Sequence, residues 1–357
     1  MSPWPDRRIQ ELLGIKLPII QAPMAGANLS AMAIAVSQAG GLGSLPCAML
    51  SPDQMRAEIE AIRLQTSHPI NLNFFCHLPP TVDPGRDMAW KQHLAKYYVE
   101  LGLDPQALLP SANRRPFDAA ACDLIAEITP EVVSFHFGLP DKSLLARVGA
   151  SGAKILSSAT TVDEALWLQK AGCDAIIAQG LEAGGHRGMF LASDISTQLG
   201  IMALVPQIVE AVKVPVIASG GIADARGIVA AFALGASGVQ LGTAYLLCPE
   251  AIISPVHRQA LKSLKDDGTA LTNVFSGRAA RGIVNRLIRE VGPMSPLAPP
   301  FPLASSAVAP LRKHSEAAGS EDFAQMWSGQ AGRLCRELPA AELTRQLAAE
   351  TLRIMNC

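Results

Sequence analysis

Two glycine-rich turns are the strongest chemical feature of this sequence. One is Ser219-Gly220-Gly221-Ile222, directly after a short apolar run, and the other is Gln240-Leu241-Gly242-Thr243, at the end of the next such run. Glycine lets backbone N–H groups approach an anion without interference from a Cβ, and a following helix adds the positive end of its dipole. Two such turns on adjacent strands predict a phosphate site, whereas either turn alone is equally well explained without a ligand.

A histidine follows a third predicted strand end, in the glycine-dense loop over residues 179–188. His186 in such a loop is poorly placed for a core role. Its imidazole titrates near neutrality, so it can accept a proton from a carbon acid or stabilise an anion. The alternative is a surface histidine on a mobile loop, with Glu182 and Arg187 forming a solvated ion pair.

Two more strand ends carry polar side chains that point toward the same face. Asn73 ends the third predicted strand and could hydrogen-bond the polar edge of a planar ring. Asn71 competes for this role, because residues two apart in a strand share one face. His136 ends the fourth strand, where the alternative is a core histidine between Phe135 and Phe137.

Arginines are available to an anion in the small-residue loop over residues 275–282. Arg278 and Arg281 could contact a phosphate or a substrate anion, or could simply pin the C-terminal segment. We take Arg278, together with His136, as a candidate substrate-binding residue.

The elements that must position these residues alternate regularly up to about residue 250. Short apolar runs, typical of strands buried on both faces, alternate with amphipathic helical stretches. Eight βα units favour an α/β fold of the (β/α)8 barrel type, whose loops after strands seven and eight commonly bind phosphate. An open doubly wound sheet is the rival, but no GxGxxG follows the first strand. The predicted strands cover residues 19–24, 42–45, 70–75, 132–135, 154–157, 175–179, 214–219 and 238–241.

Two segments interrupt or extend this pattern. The proline-containing stretch over about 77–110 predicts an insertion after strand three, with a helix around 88–101. Residues 251–357 form a C-terminal extension that covers one barrel face and the substrate site or makes an oligomer contact. Residues 1–250 are therefore the predicted catalytic barrel.

Composition excludes several classes of function. Of 357 residues, 49% are apolar and 17% are charged, and the net charge of −1 gives no support for a nucleic-acid or anionic-membrane partner. Seven scattered cysteines without a CxxC pair suggest neither a zinc site nor a redox dithiol, but buried thiols in a reducing compartment. No signal peptide or membrane span is expected, so the prediction is a cytoplasmic protein without a metal.

The motifs together resemble a known family. Gln21-Ala22-Pro23-Met24, residues 178–186 and the two glycine-rich turns resemble the nitronate monooxygenases, formerly called 2-nitropropane dioxygenases, with matching order and spacing. Residues 134–140 and 275–282 resemble the class I branch. The resemblance implies a TIM barrel that uses FMN to oxidise alkyl nitronates with O2, notably propionate 3-nitronate. The products would be a carbonyl compound and nitrite.

The resemblance also implies roles for individual residues. His186 would be catalytic, and His136 would lie close to the flavin and the substrate. The backbone of Pro23 and Met24 would lie against the isoalloxazine. Relatives often have glycine where this chain has Asn71, so the division of labour between Asn71 and Asn73 stays open. The implied or predicted cofactor contacts are Pro23, Met24, Asn73, Gln179, Gly184, Ser219, Gly220, Gly221, Gln240, Leu241, Gly242 and Thr243.

Two other functions remain as alternatives. The same barrel and similar flavin motifs occur in NAD(P)H-dependent flavin reductases acting on quinones and in FMN-dependent enoyl-ACP reductases. A non-catalytic flavin- or phosphate-binding barrel is the third hypothesis. The expected partners are a nitronate or nitroalkane and O2, and the protein would be a monomer or a homodimer.

Overall fold

The computed structural model describes residues 4–110 and 114–356, and its centre is a nearly closed barrel of eight parallel strands. Two short antiparallel pairings build a second sheet in the order β10-β11-β7. The strands are β1 (Ile19–Gln21), β2 (Gly43–Pro46), β3 (Ile70–Phe75), β4 (Val132–His136), β5 (Lys154–Ala159), β6 (Ala175–Gln179), β7 (Gly185–His186), β8 (Val216–Ser219), β9 (Gly238–Leu241), β10 (Thr269–Thr272) and β11 (Ala280–Ile283).

The barrel order is β1-β9-β8-β6-β5-β4-β3-β2. Its two ends meet through backbone bonds: Gln21 N–H donates to Leu42 O at 2.9 Å, and Leu42 N–H donates to Ile19 O at 3.0 Å. The predicted (β/α)8 barrel is confirmed. The predicted bounds of strands three, six and eight agree with β3, β6 and β9, whereas the first strand ends early, at Gln21.

Helices surround the barrel, and others lie at its two ends. They are α1 (Arg8–Leu13), α2 (Ser30–Gln38), α3 (Pro52–Arg63), α4 (Pro84–Glu100), α5 (Ala119–Ile128), α6 (Lys142–Ala150), α7 (Val162–Ala171), α8 (Ile201–Ala211), α9 (Ala225–Ala233), α10 (Pro255–Lys262), α11 (Arg286–Val291), α12 (Ser305–Ala317) and α13 (Ala340–Met355). No helix within residues 4–110 and 114–356 is long and apolar enough to cross a membrane.

The start of α2 differs from expectation. We expect a side-chain cap from Asn28 or Ser30, but the N-cap residue is Leu29, and no side chain bonds the helix start. Asn28 instead accepts from Met24 N–H at 2.9 Å and donates to Ser44 O at 2.9 Å. It therefore ties the loop after β1 to β2, because its amide satisfies a backbone group in each.

The barrel interior changes character along its axis. At the amino-terminal end, Ile9 and Leu13 of α1 pack onto inward apolar side chains such as Ile20 and Leu156. Toward the carboxyl ends the interior becomes polar. There Gln21 Oε1 accepts from Ser44 N–H at 2.9 Å. The barrel is therefore closed below by a hydrophobic plug and presents polar groups above.

The C-terminal segment contributes to two places. Helix α13 packs between α9 and α2, where the eighth barrel helix is expected, and its Thr344 hydroxyl bonds the Tyr245 hydroxyl at 2.8 Å. The division of the chain at residue 250 stays a prediction. The six described cysteines are free thiols, and Cys357 lies outside the described residues.

The insertion after β3 packs against the C-terminal segment to form a second hydrophobic core. Trp90 and Tyr98 of α4 are buried there against Leu311 and Phe323. The Trp90 indole donates to Ala304 O at 3.2 Å, and the Tyr98 hydroxyl donates to Ala307 O at 2.6 Å. Two segments far apart in sequence thus form one cap, whose residues reach the carboxyl ends of the barrel strands.

Candidate active site

A cavity of about 450 Å³ opens at the carboxyl ends of the strands, beneath the cap. Most of the sequence-predicted site residues line it. They are Pro23, Met24, Asn73, His136, Gln179, Gly184, His186, Ser219, Gly220, Gly221, Gln240, Gly242 and Thr243. Among the described residues, no three His, Cys, Asp or Glu side chains gather as a metal site would require.

The glycine-rich turn after β8 has a backbone that an ordinary residue would not adopt. Gly220 and Gly221 have φ angles of 112° and 69°. A Cβ on Gly220 would lie 2.9 Å from Ala183 N, and one on Gly221 would lie 3.1 Å from Glu182 Cβ. The N–H groups of Gly220 and Gly221 have no acceptor within the described ranges. A turn with free N–H groups and no side chains is a cradle for an anion.

Polar side chains continue the site from this cradle. Gln240 of β9 lines the cavity, and its Oε1 is buried without a hydrogen-bond partner among residues 4–110 and 114–356. Asn73 donates to the Ser134 carbonyl at 3.2 Å and to its hydroxyl at 2.9 Å, which leaves its own Oδ1 open. An anion cradle beside unsatisfied amide groups fits a planar polar cofactor that carries a phosphate.

Three predicted or competing residues do not reach the cavity. Leu241 packs in the core between sheet and helices, although its carbonyl accepts from Ala22 N–H at 2.8 Å. Asn71 lies deeper in the barrel and donates to Ser44 Oγ at 3.0 Å. Arg278 lies over the Phe137 ring at 4.0 Å and is not a lining residue.

His186, the predicted base, has one ring nitrogen left open. Its Nε2 lies 2.8 Å from Ser276 Oγ, and no partner for Nδ1 exists in the described part of the chain. The Ser276 hydroxyl is 3.4 Å from the Arg278 carbonyl, which can only accept, so this hydroxyl accepts in turn from Nε2–H. Burial, followed by the nearby Arg114 guanidinium, holds the pKa of His186 well below its usual range. The ring is therefore neutral near pH 7, with the Nδ1 lone pair free to accept a proton.

His136 lines the cavity but has both ring nitrogens engaged. Nε2 donates to the His186 carbonyl at 3.2 Å, so Nδ1 accepts from the Ser158 hydroxyl at 2.6 Å. Burial, assisted by the charge of Arg278, lowers the pKa of His136 to about 3. His136 is thus a neutral wall residue that supports the His186 loop.

The loop that carries His186 is pinned, not solvated. Arg187 is fully buried, and its guanidinium donates to Gly180 O at 2.6 Å and to Gln179 O at 2.8 Å. Glu182 instead accepts from Ile201 N–H at 2.9 Å, at the start of α8. The alternative of a solvated Glu182–Arg187 pair is therefore wrong, because the loop folds back and its own carbonyls satisfy the buried charge.

Two more side chains fix the same loop. The Gln179 amide bonds the loop backbone at both ends, donating to His186 O at 2.9 Å and accepting from Gly188 N–H at 2.7 Å. Glu164 of α7 accepts from Phe190 N–H at 2.6 Å. The β7–β11 pairing, which sets His186 opposite Ala280, ties the loop to the C-terminal segment.

Sequence reasoning missed the cavity residues that come from the cap. Arg114 follows the insertion, whereas Arg312, Glu316, Gln325 and Trp327 come from the C-terminal segment. Their sequence surroundings carry no motif, and only the packing of α4 against α12 brings them to the barrel mouth. The Arg114-Arg115 pair was the only local signal, a charge pair in a proline-containing stretch.

Comparison with known proteins gives consistent matches over nearly the whole chain. The family model described as nitronate monooxygenase matches residues 6–350. A nitronate monooxygenase of Pseudomonas aeruginosa is 44% identical over 345 residues, which are 96% of this chain and 98% of that one. Among solved structures, a nitroalkane oxidase from Streptomyces ansochromogenes has a TM-score of 0.89 at 38% identity, covering 98% of this chain and 100% of its own. FabK from Thermotoga maritima has a TM-score of 0.73 at 25% identity, covering 98% and 97%.

Proposed function

This chain belongs to the nitronate monooxygenase family, and we propose that it uses bound FMN to oxidise alkyl nitronates with O2, giving a carbonyl compound and nitrite. One observation carries the proposal. A single cavity joins an anion cradle at Gly220 and Gly221 to a neutral histidine, His186, with an open ring nitrogen.

The residues present fit FMN. The free N–H groups of Gly220 and Gly221 would hold its phosphate, with Ser219, Gly242 and Thr243 beside them. The unpartnered Gln240 oxygen and the Asn73 amide would bond the polar edge of the ring system. Pro23, Met24 and Gly184 would line its faces. When bound, FMN would supply the redox chemistry between the substrate and O2.

The role of the protein's side chains differs between nitronates and neutral nitroalkanes. A nitronate is already a carbanion equivalent, so the cavity needs only to bind and orient it. A neutral nitroalkane must first lose a proton from carbon, and Nδ1 of His186 is the open acceptor for it. The pinned loop holds this nitrogen in place, which is what positional catalysis requires.

Oxygen uptake tests the proposal directly. Purified enzyme, with its flavin content measured from the visible absorbance spectrum, is given propionate 3-nitronate in an oxygen electrode. We expect uptake accompanied by nitrite. If fully flavinated enzyme takes up no more oxygen than buffer, nitronate oxidation is rejected as its function. If the purified protein shows no flavin bands, the FMN-dependent mechanism is rejected.

Anaerobic mixing with NADH or NADPH separates this function from a quinone-type flavin reductase. Persistence of the yellow colour supports the monooxygenase, and rapid bleaching supports the reductase. Bound FMN with turnover of neither nitronates nor pyridine nucleotides indicates a non-catalytic barrel. We place the reaction in the cytoplasm, since the free thiols suit a reducing compartment.

A further inference from the structure

One cation in the cavity has no anion to neutralise it. Arg114 lines the cavity, and its guanidinium has neither a hydrogen bond nor an ion pair within residues 4–110 and 114–356. The guanidinium instead lies over the Phe301 ring, with Cζ 5.7 Å from the ring centroid. Burial, with a smaller effect of the Arg312 charge, lowers the pKa of Arg114 to about 10, so it remains charged at neutral pH.

The other arginines near the cavity are already engaged. Arg312 pairs with Glu316 at 3.2 Å and donates to Gln325 Oε1 at 3.1 Å. Arg278, the residue predicted to bind the substrate, donates through Nη2 to the Met189 carbonyl and lies over Phe137. Its Nε has no partner among the described residues, but Arg278 does not line the cavity. A desolvated cation without a partner is costly, and an anionic ligand that enters the cavity removes that cost.

The position of Arg114 suits the substrate more than the cofactor phosphate. The Phe301 ring that it contacts also packs against the His186 ring, at 5.2 Å between centroids. The segment after Arg114 is tied to the end of β3, where Phe117 N–H donates to Phe75 O at 2.7 Å. In the eight-strand order, β3 lies opposite β8, which carries the glycine cradle.

A second unsatisfied polar group lies at the same aromatic ring. His77 is buried, its ring lies 4.8 Å from that of Phe301, and its Nδ1 has no partner in the described chain. Phe75 lines the cavity, and Phe137 and Phe301 pack behind it to form an apolar wall. A short methylene chain that ends in an anion fits such a surface, because the wall accepts the chain and the cation accepts the end.

We propose that Arg114 is a specificity-determining residue of this site: its guanidinium binds the carboxylate of a substrate such as propionate 3-nitronate and thereby favours it over simple alkyl nitronates. The planar guanidinium matches a carboxylate in a two-point geometry. The nitronate end then lies toward His186. This inference rests on the proposed function for its substrate, but carboxylate binding is measurable without turnover.

Substrate preference gives the first test. The ratio of kcat/KM for propionate 3-nitronate to kcat/KM for propyl 1-nitronate is measured for wild type and Arg114→Met. We expect the ratio to fall about 10- to 100-fold, since a hydrogen bond to a charged group contributes on this scale. Arg114→Lys should restore part of it. Arg115→Met, at an exposed neighbour, is the matched control. Equal losses with both substrates would show that Arg114 binds the shared nitronate group and would overturn the proposal.

Ligand binding gives the second test, independent of catalysis. Succinate resembles propionate 3-nitronate in length and charge, and butyrate resembles propyl 1-nitronate. Titration calorimetry of the flavin-loaded protein should show succinate binding more tightly than butyrate, and Arg114→Met should abolish the difference. The same preference in Arg114→Met would refute the carboxylate site. Absence of nitronate turnover in wild type with the succinate preference intact would reject the proposed function alone.

Discussion

The side-chain Nε2 of Gln179 donates to the main-chain carbonyl of His186 at 2.9 Å. Its Oε1 accepts from Gly188 N–H at 2.7 Å, so the orientation of the amide is fixed by two backbone groups that can each play only one role. Gln179, a predicted cofactor contact, thus uses both ends of its amide to hold the loop that carries His186. Gln179, like His136, therefore joins the cavity wall to this loop.

Replacing Gln179 with leucine tests this coupling. Gln179→Leu keeps the approximate volume but leaves the Gly188 N–H without its acceptor. We expect the free energy of unfolding to fall by about 1–3 kcal/mol, the cost of an unsatisfied buried group. Hydrogen exchange should speed up over residues 186–188. Gln207→Leu, at an exposed glutamine on α8, is the control. Unchanged exchange in the loop would show that the amide does not hold it.

Replacing His186 with asparagine should separate the two substrate classes. Nitronates need no proton removed, whereas neutral nitroalkanes do, and Nδ1 of His186 is the open acceptor. We expect His186→Asn to keep FMN and nitronate oxidation but to lose oxidation of neutral nitroalkanes. Oxygen uptake with both substrates, at equal flavin content, measures this. Equal loss of both activities contradicts the division of roles.

Ser276 should select the tautomer of His186. Its buried hydroxyl accepts from Nε2–H and thereby leaves the lone pair on Nδ1, toward the open side of the ring. In Ser276→Ala both tautomers become available, and we expect kcat/KM for a neutral nitroalkane to fall about tenfold, equivalent to one such hydrogen bond.

The readout for Ser276 must exclude a merely structural effect. Nitronate oxidation should change far less than nitroalkane oxidation, and Ser276→Thr, which keeps the hydroxyl, should recover most of the loss. A parallel decline with both substrates would mean that Ser276 supports only the packing of the site.

The sequence predicted those features that local patterns determine. Strand β3 has the expected bounds, because a short apolar run is a local signal. The turn at Gly220 was found in the same way, since its backbone demands glycine. A helix near residues 340–353 is expected from the sequence, but its packing between α9 and α2 is not, because it completes a barrel whose strands end at residue 241.

The chemistry of single side chains was harder to predict. Arg187 looked solvated in the sequence, and only the folded loop shows that its charge is buried against carbonyls. Arg114 reaches the cavity through the cap, and packing between remote segments has no local pattern. Residue type therefore indicated where chemistry is possible, and tertiary structure decided which partner each group has.

Acid should destabilise the protein over a window set by its buried histidines. Burial lowers the pKa of His77 and of His257 to about 4 and that of His136 to about 3, while His186 is also shifted down. The unfolded chain binds protons at these sites below about pH 6.5, and the folded chain does not. The contribution of these histidines to the free energy of unfolding is therefore complete above about pH 6.5 and is lost as the pH falls toward 4.

A histidine variant isolates this effect from the carboxylates. Each such imidazole adds up to about 1.4 kcal/mol per pH unit to the slope of unfolding free energy against pH. Because His257 donates from Nε2 to Trp327 O at 3.1 Å, His257→Gln can keep that bond while removing the titration. Denaturant unfolding between pH 5 and pH 6.5 should give a shallower slope for His257→Gln than for wild type. His68→Gln, at an exposed histidine, is the control, and an unaltered slope in His257→Gln would show that this imidazole does not stay neutral in the folded protein.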